Sequence, residues 1–432
     1  MSRFGRHGVF VRMFSSAVVN QAVLSAASLM VSLVLIRHTS DHEYGYYVLV
    51  VAAMLLLTSL QNAFYAPSMI VRMTRFDRAQ RSDLVGGLYR EQRTVWTCAA
   101  VAAVGAAAAL WAFGIFNGTT GPIVITGIVV ALAVLRREYF RTVLLAYRRA
   151  EDVLKADVPY VVLLVAGAAV ATLSPAPAMT AVLGLGLSAL IGGALLARAL
   201  RRHEHWDIRG APGILREIAP LAVWSTAGAV VHWSFSQGYS YLVAGTLDIT
   251  AVAAIGATRL LMMPINLLST GIGSLMLPLA SSWLHQHGAG TVLRRLSLFA
   301  AGLAAATLCY FVLMWLVRDW LFATVLRKQF ADRDRLLLLW GAISLVTVIR
   351  DQLIYLPVSR ERFRPLTAQA LVSAIAALIV SYWGMRFYGV WGALIGVLTG
   401  ELLNVAGLVV LSLLEVKSDR AALRASTGNP AL

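Results

Sequence analysis

Along this chain apolar residues gather in runs of about twenty, separated by short polar stretches, with no amphipathic alternation between them. A run of that length crosses the hydrocarbon core of a bilayer as one helix, since some 20 residues at ~1.5 Å rise cover its ~30 Å. The pattern predicts spans near 15–36, 45–66, 94–116, 121–147, 157–174 and 178–199. A second set falls near 217–246, 250–284, 295–317, 334–358, 364–386 and 388–415. Pro264 and Pro278 lie inside the 250–284 run, which is expected to kink or to end in a re-entrant turn. Met1–Arg12 is basic and precedes an apolar run, as in a signal peptide. The run is too long for a signal core and more spans follow, so an uncleaved first helix is expected. No connection is long enough for a soluble domain: Pro67–Arg93 and Arg201–Arg216 read as basic linkers, with amphipathic surface helices one form open to them. The expected organisation is an N-terminal lobe over 1–200, a linker over 201–216, a second lobe over 217–415 and a polar, disordered tail over 416–432.

Composition sharpens this. The 432 residues are 59% hydrophobic and 13% charged, where a soluble domain carries roughly a quarter charged, and mean hydropathy is +0.73. A soluble enzyme, a disulfide-stapled secreted protein and a disordered regulator are excluded. Cys98 and Cys309 both sit inside apolar runs and make neither a disulfide framework nor a metal site. A net charge of +16 would suggest nucleic acid in a soluble chain. Here the basic residues collect on alternate connections, among them Arg72–Arg93, Arg148–Lys155, Arg198–Arg216 and Arg360–Arg364. The positive-inside rule assigns those connections, and with them both termini, to the cytoplasm. No aromatic interleaving accompanies the charge, so no nucleic-acid partner is expected.

The two halves echo each other. Thr39-Ser40-Asp41 and Thr246-Leu247-Asp248 follow the first span of each half, 207 residues apart. Arg137-Glu138 and Arg350-Asp351 stand in the fourth span of each half at an offset of 213. Both fourth spans then end in a basic cluster, Tyr147-Arg148-Arg149 and Ser359-Arg360-Glu361-Arg362. Six spans followed by six place corresponding helices in the same orientation. The expected fold is therefore an all-α membrane protein with twelve transmembrane helices in two six-helix lobes. A pseudo-twofold axis along the membrane normal would relate the lobes around a central cavity, the geometry of alternating-access transporters.

Charges inside a membrane cost roughly 2.5–3.5 kcal/mol each on insertion scales, so they face a cavity or a partner. Arg137 and Arg141 share a helix face at i,i+4 spacing with Glu138 beside them, and Arg350-Asp351 occupies the equivalent helix. Two readings stand for these pairs: interhelical ion pairs, or part of a substrate path. Arg259 has no acid beside it in sequence, and Asn266 follows at i+7. A lone arginine there points to a wet cavity that takes an anion, phosphate above all, because guanidinium binds it bidentately. The candidate substrate-binding set is Arg259, Arg137, Arg141, Arg350, Asn266, Gln61 and Asn62. Glu138, Asp351 and His232 are the candidates for coupling or structural pairing; His232 reads either as a proton carrier or as satisfied packing. Asn20, Gln21, Gln237, Gln369 and Asn404 read as hydrogen-bonding cross-links between helices, and Glu401 is a further polar residue in the last span. Tyr44, Tyr46, Tyr47 and Trp320 lie near span ends, as interface anchors do. His203-Glu204-His205 lies in a basic loop without further metal ligands and reads as solvated. With no catalytic constellation, nucleotide motif or metal set, neither an enzyme nor a cofactor is expected. Transport must draw on an ion gradient, a substrate gradient or a partner.

One stretch resembles a known family. Leu35-Ile36-Arg37-His38-Thr39-Ser40-Asp41-His42-Glu43-Tyr44-Gly45-Tyr46-Tyr47 is similar to the first-to-second-helix connection of polysaccharide-exporter-type flippases. Ala257-Thr258-Arg259-Leu260, through Pro264 to Leu277-Pro278-Leu279-Ala280, is similar to that family's eighth helix. The resemblance implies the multidrug/oligosaccharidyl-lipid/polysaccharide exporter superfamily, of the O-antigen and exopolysaccharide repeat-unit flippase type. Such a protein would move undecaprenyl-pyrophosphate-linked oligosaccharide across the bacterial inner membrane for polysaccharide biosynthesis. It would work as a monomer among membrane lipids, with glycan polymerase machinery as a further candidate partner. Lipid II flippases carry two additional helices that this chain lacks. Drug antiporters of the superfamily rely on N-lobe acids, and Glu138 is flanked by arginines. An ion-coupled exporter of small amphipathic molecules remains the alternative, followed by a membrane enzyme of glycan assembly, for which the outer loops are short.

Overall fold

The computed structural model describes residues 3–116, 118–203 and 212–427. The helices are α1 (Arg3–His38), α2 (Asp41–Arg75), α3 (Arg78–Ala112), α4 (Thr120–Ala146), α5 (Ala150–Ala171), α6 (Pro177–His203) and α7 (Ile214–Trp233). After a π-helical turn at Ser234–Gly238 come α8 (Tyr239–Thr246), α9 (Ile249–Leu260), α10 (Met263–Leu316) and the single turn α11 (Arg318–Trp320). Then follow a second π-turn at Leu321–Leu326, α12 (Arg333–Leu353), α13 (Tyr355–Ser359), α14 (Phe363–Tyr388) and α15 (Val390–Thr427). Among the described residues nine helices are long and apolar enough to cross a membrane, eleven when each of two bent pairs counts as one span. The remaining expected span is α4, 27 residues long, with Arg136, Arg137, Glu138 and Arg141 in its second half. All twelve expected spans are thus helical.

The ends of these helices explain the repeated sequence. Ser40 Oγ accepts from the Glu43 amide at 3.2 Å and caps α2, while Asp248 Oδ1 accepts from the Ala251 amide at 2.6 Å and caps α9. Both Thr-x-Asp stretches are therefore helix starts, with the capping residue one position earlier in the first copy. The fourth spans also stop alike. Arg148 (φ +60°) and Glu361 (φ +57°) take the left-handed conformation. Arg149 N donates to Leu144 O and Arg148 N to Leu145 O, both at 2.9 Å. Arg362 N donates to Pro357 O at 3.0 Å and Glu361 N to Val358 O at 2.9 Å. Each is a Schellman stop, and the two are 213 residues apart, the same offset as Arg137 and Arg350.

The 250–284 run breaks at Leu261–Met262, just ahead of Pro264, where Ile249–Leu260 and Met263–Gly273 are bent by 54°. A further break at Gly288 (φ +73°) divides α10. Ala289 N donates to Asp419 Oδ2 at 2.8 Å, so a carboxylate from α15 caps the second part. One expectation is corrected here, and for one linker the helical form left open is the one found. The stretch beyond Glu415 is helical as far as Thr427, continuing α15 instead of ending as a disordered tail. Pro67–Arg93 is almost wholly helix, the end of α2 and the capped start of α3, where Asp77 and Gln80 form a capping box. The Arg201–Arg216 linker lies partly outside the described residues, as do Glu204 and His205.

The chain divides into two compact units, Met1–Trp233 and Ser234–Leu432. In the first, α4 and α5 both pack on α6, and α7 packs on α2, where Trp233 Nε1 donates to Ala52 O at 2.8 Å. Backbones approach closely: a Cβ on Gly167 would stand 3.0 Å from Gly184 Cα across α5 and α6. In the second unit α14 and α15 pair over a stripe of Gly392, Gly396 and Gly400, facing Gly384, Ser381 and Ala377. Without a hydrophobic driving force inside lipid, such small-residue contact is what holds membrane helices together. Tyr44, Tyr46 and Tyr47 lie in the core at 2%, 6% and 8% exposure, not at an interface; Trp320, at 58%, is exposed as expected of an anchor. The Tyr46 hydroxyl lies 2.5 Å from Thr120 Oγ1 at the start of α4.

Candidate functional site

In the N-terminal unit α4 presents Arg137, Glu138 and Arg141 to three neighbouring helices. Arg137 pairs with Asp157 of α5, whose carboxylate is fully buried. Asn20 Nδ2 of α1 donates to Asp157 Oδ2 at 2.8 Å, and Arg141 Nε reaches the same oxygen at 3.4 Å. The Arg137 guanidinium lies 3.5 Å from the Tyr160 ring centroid, and Gly192 and Gly193 of α6 press on its stem. Glu138 Oε1 accepts from Arg141 at 3.4 Å and from Asn62 Nδ2 of α2 at 3.1 Å. Asn62 Oδ1 in turn accepts from the Tyr65 hydroxyl at 3.2 Å and from Thr142 at 3.1 Å. Gln61 donates to Leu135 O at 2.9 Å, tying α2 to α4. Two guanidinium groups face two carboxylates, so this network is electrically closed and holds α1, α2, α4 and α5 in register.

The C-terminal unit holds a second network in which acids outnumber bases. Arg350 of α12 donates from Nη1 to both oxygens of Glu401 on α15, at 2.6 and 2.9 Å, and from Nη2 to Asp351 at 2.8 Å. Asp351 also accepts from Ser269 of α10 at 3.0 Å. Two carboxylates share one guanidinium, leaving one negative charge. Asp351 retains a third of its side-chain surface while Glu401 is nearly closed off, at 6%.

Arg259, at the end of α9, has a different setting. Its Nη1 donates to Gln237 Oε1 at 3.2 Å and to the Tyr239 hydroxyl at 3.3 Å, and its guanidinium carbon lies 5.4 Å from the Trp340 ring. Trp340 is fixed by its own bond to Ile255 O at 3.2 Å. Among the described residues no carboxylate meets this half-buried cation, whose partners are neutral dipoles and a π face.

No family model matches the chain, and no curated protein matches it in sequence. Solved structures do match. An inward-facing multidrug resistance MATE family transporter of the MOP superfamily is similar over 96% of this chain and 100% of its own, with TM-score 0.71 at 12% identity. An outward-facing transporter of the same description matches 95% of this chain and 96% of its own, with TM-score 0.66 at 11% identity. A MATE protein in a straight conformation gives TM-score 0.66 at 13% identity, with 95% and 96% covered. The chain has the fold of the MATE transporters.

Within this MATE fold the candidate residues separate into groups. Arg137, Arg141, Glu138 and Asn62 come together, as do Arg350 and Asp351. Arg259 belongs to neither network. Asn266 does not share its helix face: the break at Leu261–Met262 falls between them and ends the i+7 register. His232 is exposed on the last turn of α7. Asn20 and the Gln369–Asn404 pair, bonded at 2.7 Å between α14 and α15, are cross-links as expected. Asp157 was not among the candidates, and Glu401 was noted only as a polar residue of the last span. Charge matching points to both: each buried arginine needs an acid on another helix, and both acids fall inside predicted spans.

Proposed function

We propose that this protein is a multi-pass transporter exporting an amphipathic molecule that carries an anionic group, by alternating access. The observation that carries the reading is Arg259: a half-buried guanidinium with only neutral partners among the described residues, in a fold whose solved examples include inward- and outward-facing transporters. A buried cation among dipoles gains most from an incoming carboxylate or phosphate. Tyr239 and Trp340, both buried, hold the guanidinium in place without neutralising it. The excess carboxylate of the Arg350–Asp351–Glu401 group is where a coupling cation would bind, with Asp351 the accessible member. The N-terminal network has no spare negative charge, which argues against a cationic substrate there.

Lipid-linked oligosaccharide flipping in the bacterial inner membrane, with both termini cytoplasmic, is the second reading. It is favoured by the same arginine, since a pyrophosphate is the anion a guanidinium suits best. Purified protein in vesicles separates the two. Ion-gradient-driven efflux of anionic amphiphilic dyes, without movement of fluorescent lipid-linked sugar, supports the first. Sugar flipping without dye efflux supports the second, and neither activity in either orientation overturns both.

A further inference from the structure

The N-terminal unit contains a cavity of about 1130 Å³ that neither ion-pair network uses. Along one side it is bordered by α3. From Tyr89 to Gln92 this helix packs on α4, but beyond Gln92 only Ala107 of its described residues is buried. The trough has α4 as its floor and α5 and α6 as its far wall. Trp96, Val129, Leu132, Ala166, Leu187 and Leu190 give it an apolar surface. Three arginines line it as well, Arg93, Arg136 and Arg201, and no lining residue is acidic.

The arginines are not scattered. Tyr89 of α3 and Phe140 of α4 pack ring to ring at 5.0 Å, and a short connection makes these helices antiparallel neighbours. One turn onward from Tyr89 is Arg93; one turn back from Phe140 is Arg136. The two guanidinium groups therefore start from the same depth, Arg93 on the near wall and Arg136 on the floor of the trough. That depth is about ten residues, or ~15 Å, from the end of α4, on the side of the basic connections. Both side chains are exposed, and neither meets a carboxylate among the described residues. From that level the trough continues toward the opposite end of the unit, as far as Val170 and Thr180.

We propose that this trough is a binding site for an anionic phospholipid of the leaflet on the basic-connection side. Its phosphate would lie between Arg93 and Arg136 and its acyl chains along α4, α5 and α6. Charge complementarity selects the occupant: an exposed arginine at bilayer depth is costly until an anion joins it, and a lipid brings phosphate and hydrocarbon in this order along the membrane normal. A zwitterionic lipid would fill the trough without neutralising its head.

The test is native mass spectrometry of the full chain, with phosphatidylglycerol and phosphatidylcholine offered in equal amounts. Phosphatidylglycerol should be retained preferentially. The preference should fall about fivefold in Arg93→Gln or Arg136→Gln and further in the double variant, since each arginine contributes ~1 kcal/mol toward an anionic lipid. Ala166→Trp, which fills the exposed trough wall, should reduce retention of both lipids while the arginines stay in place. Unchanged melting temperatures without added lipid would show that the variants fold. Equal retention of the two lipids by the native chain overturns the proposal. So does retention indifferent to all three substitutions, or competition by glycerol phosphate alone, which would make the site one for a soluble anion.

Discussion

Arg137 on α4 and Asp157 on α5 form an ion pair whose carboxylate is wholly shut from solvent and whose guanidinium lies flat on the Tyr160 ring. Asp157 also takes Asn20 and Arg141, so one carboxylate fixes three partners. Asp157→Ala should destabilise the N-terminal unit by about 3–5 kcal/mol, since it strands the buried Arg137 cation while Arg141 keeps Glu138. Thermal unfolding in detergent should show a lowered midpoint. The double variant Asp157→Asn/Arg137→Gln should recover part of that loss, because the uncompensated charge is gone. If the double is no better than the single, the cost lies in packing and not in charge.

Arg259 predicts a different outcome. Its bonds go to neutral groups at 3.2 and 3.3 Å, so removing it strands no buried charge. Arg259→Gln should leave the melting temperature nearly unchanged yet weaken substrate affinity tenfold or more, the size of one charge-assisted hydrogen bond of ~1.5–3 kcal/mol. Arg259→Lys should be partly active, keeping the charge and losing the fork. Initial rates of vesicle transport against substrate concentration distinguish the affected step.

Span count, proline break and helix starts were legible because each depends on residues close in sequence. Apolar runs mark the helices, Ser40 and Asp248 mark two starts, and Pro264 marks the break. Arg137 and Arg350 were legible as costly groups, but their acids lie 20 and 51 residues away on other helices. Spacing carries nothing about such pairs. Asp157 was hidden for a further reason: it stands at the first position of a predicted span and reads as a boundary residue. The pairing of Arg259 with Asn266 failed because a helical repeat does not continue through a 54° break.

Glu401 and Asp351 share Arg350 unequally, and their variants should differ accordingly. Glu401→Gln weakens the two bonds that join α12 to α15 and should lower the melting temperature strongly. Asp351→Asn, at a more open carboxylate, should keep the fold and reduce the dependence of transport on the driving cation. A transport rate in Asp351→Asn with unaltered cation dependence would remove Asp351 from coupling.

The glycine stripe of α15 makes a geometric prediction. A Cβ at Gly396 would fall inside the van der Waals radius of Ser381 and of Ala377 O on α14, and neither backbone can retreat without parting the helices. Gly396→Leu should abolish folding of the C-terminal unit, read as loss of monodisperse protein. Gly302→Ala on α10 meets nothing within 4 Å and should be neutral or stabilising by roughly 0.5–1 kcal/mol.

The fourth spans end on exposed Arg148 and Glu361, both left-handed, where glycine is the usual residue. An L side chain there costs about 1 kcal/mol or more against the backbone oxygen, so Arg148→Gly and Glu361→Gly should each stabilise by about 1 kcal/mol. Arg148→Val should destabilise more than either glycine helps, because a β-branched residue fits that conformation worst. Both stops lie eleven residues beyond the intramembrane arginine of their helix, which is why the offset of 213 recurs. If the repeat is a backbone repeat, the two glycine variants should raise the melting temperature by similar amounts. Losses at both positions would instead mean that the Arg148 and Glu361 side chains are kept for contacts of their own, and the shared stop would no longer explain the echo between the halves.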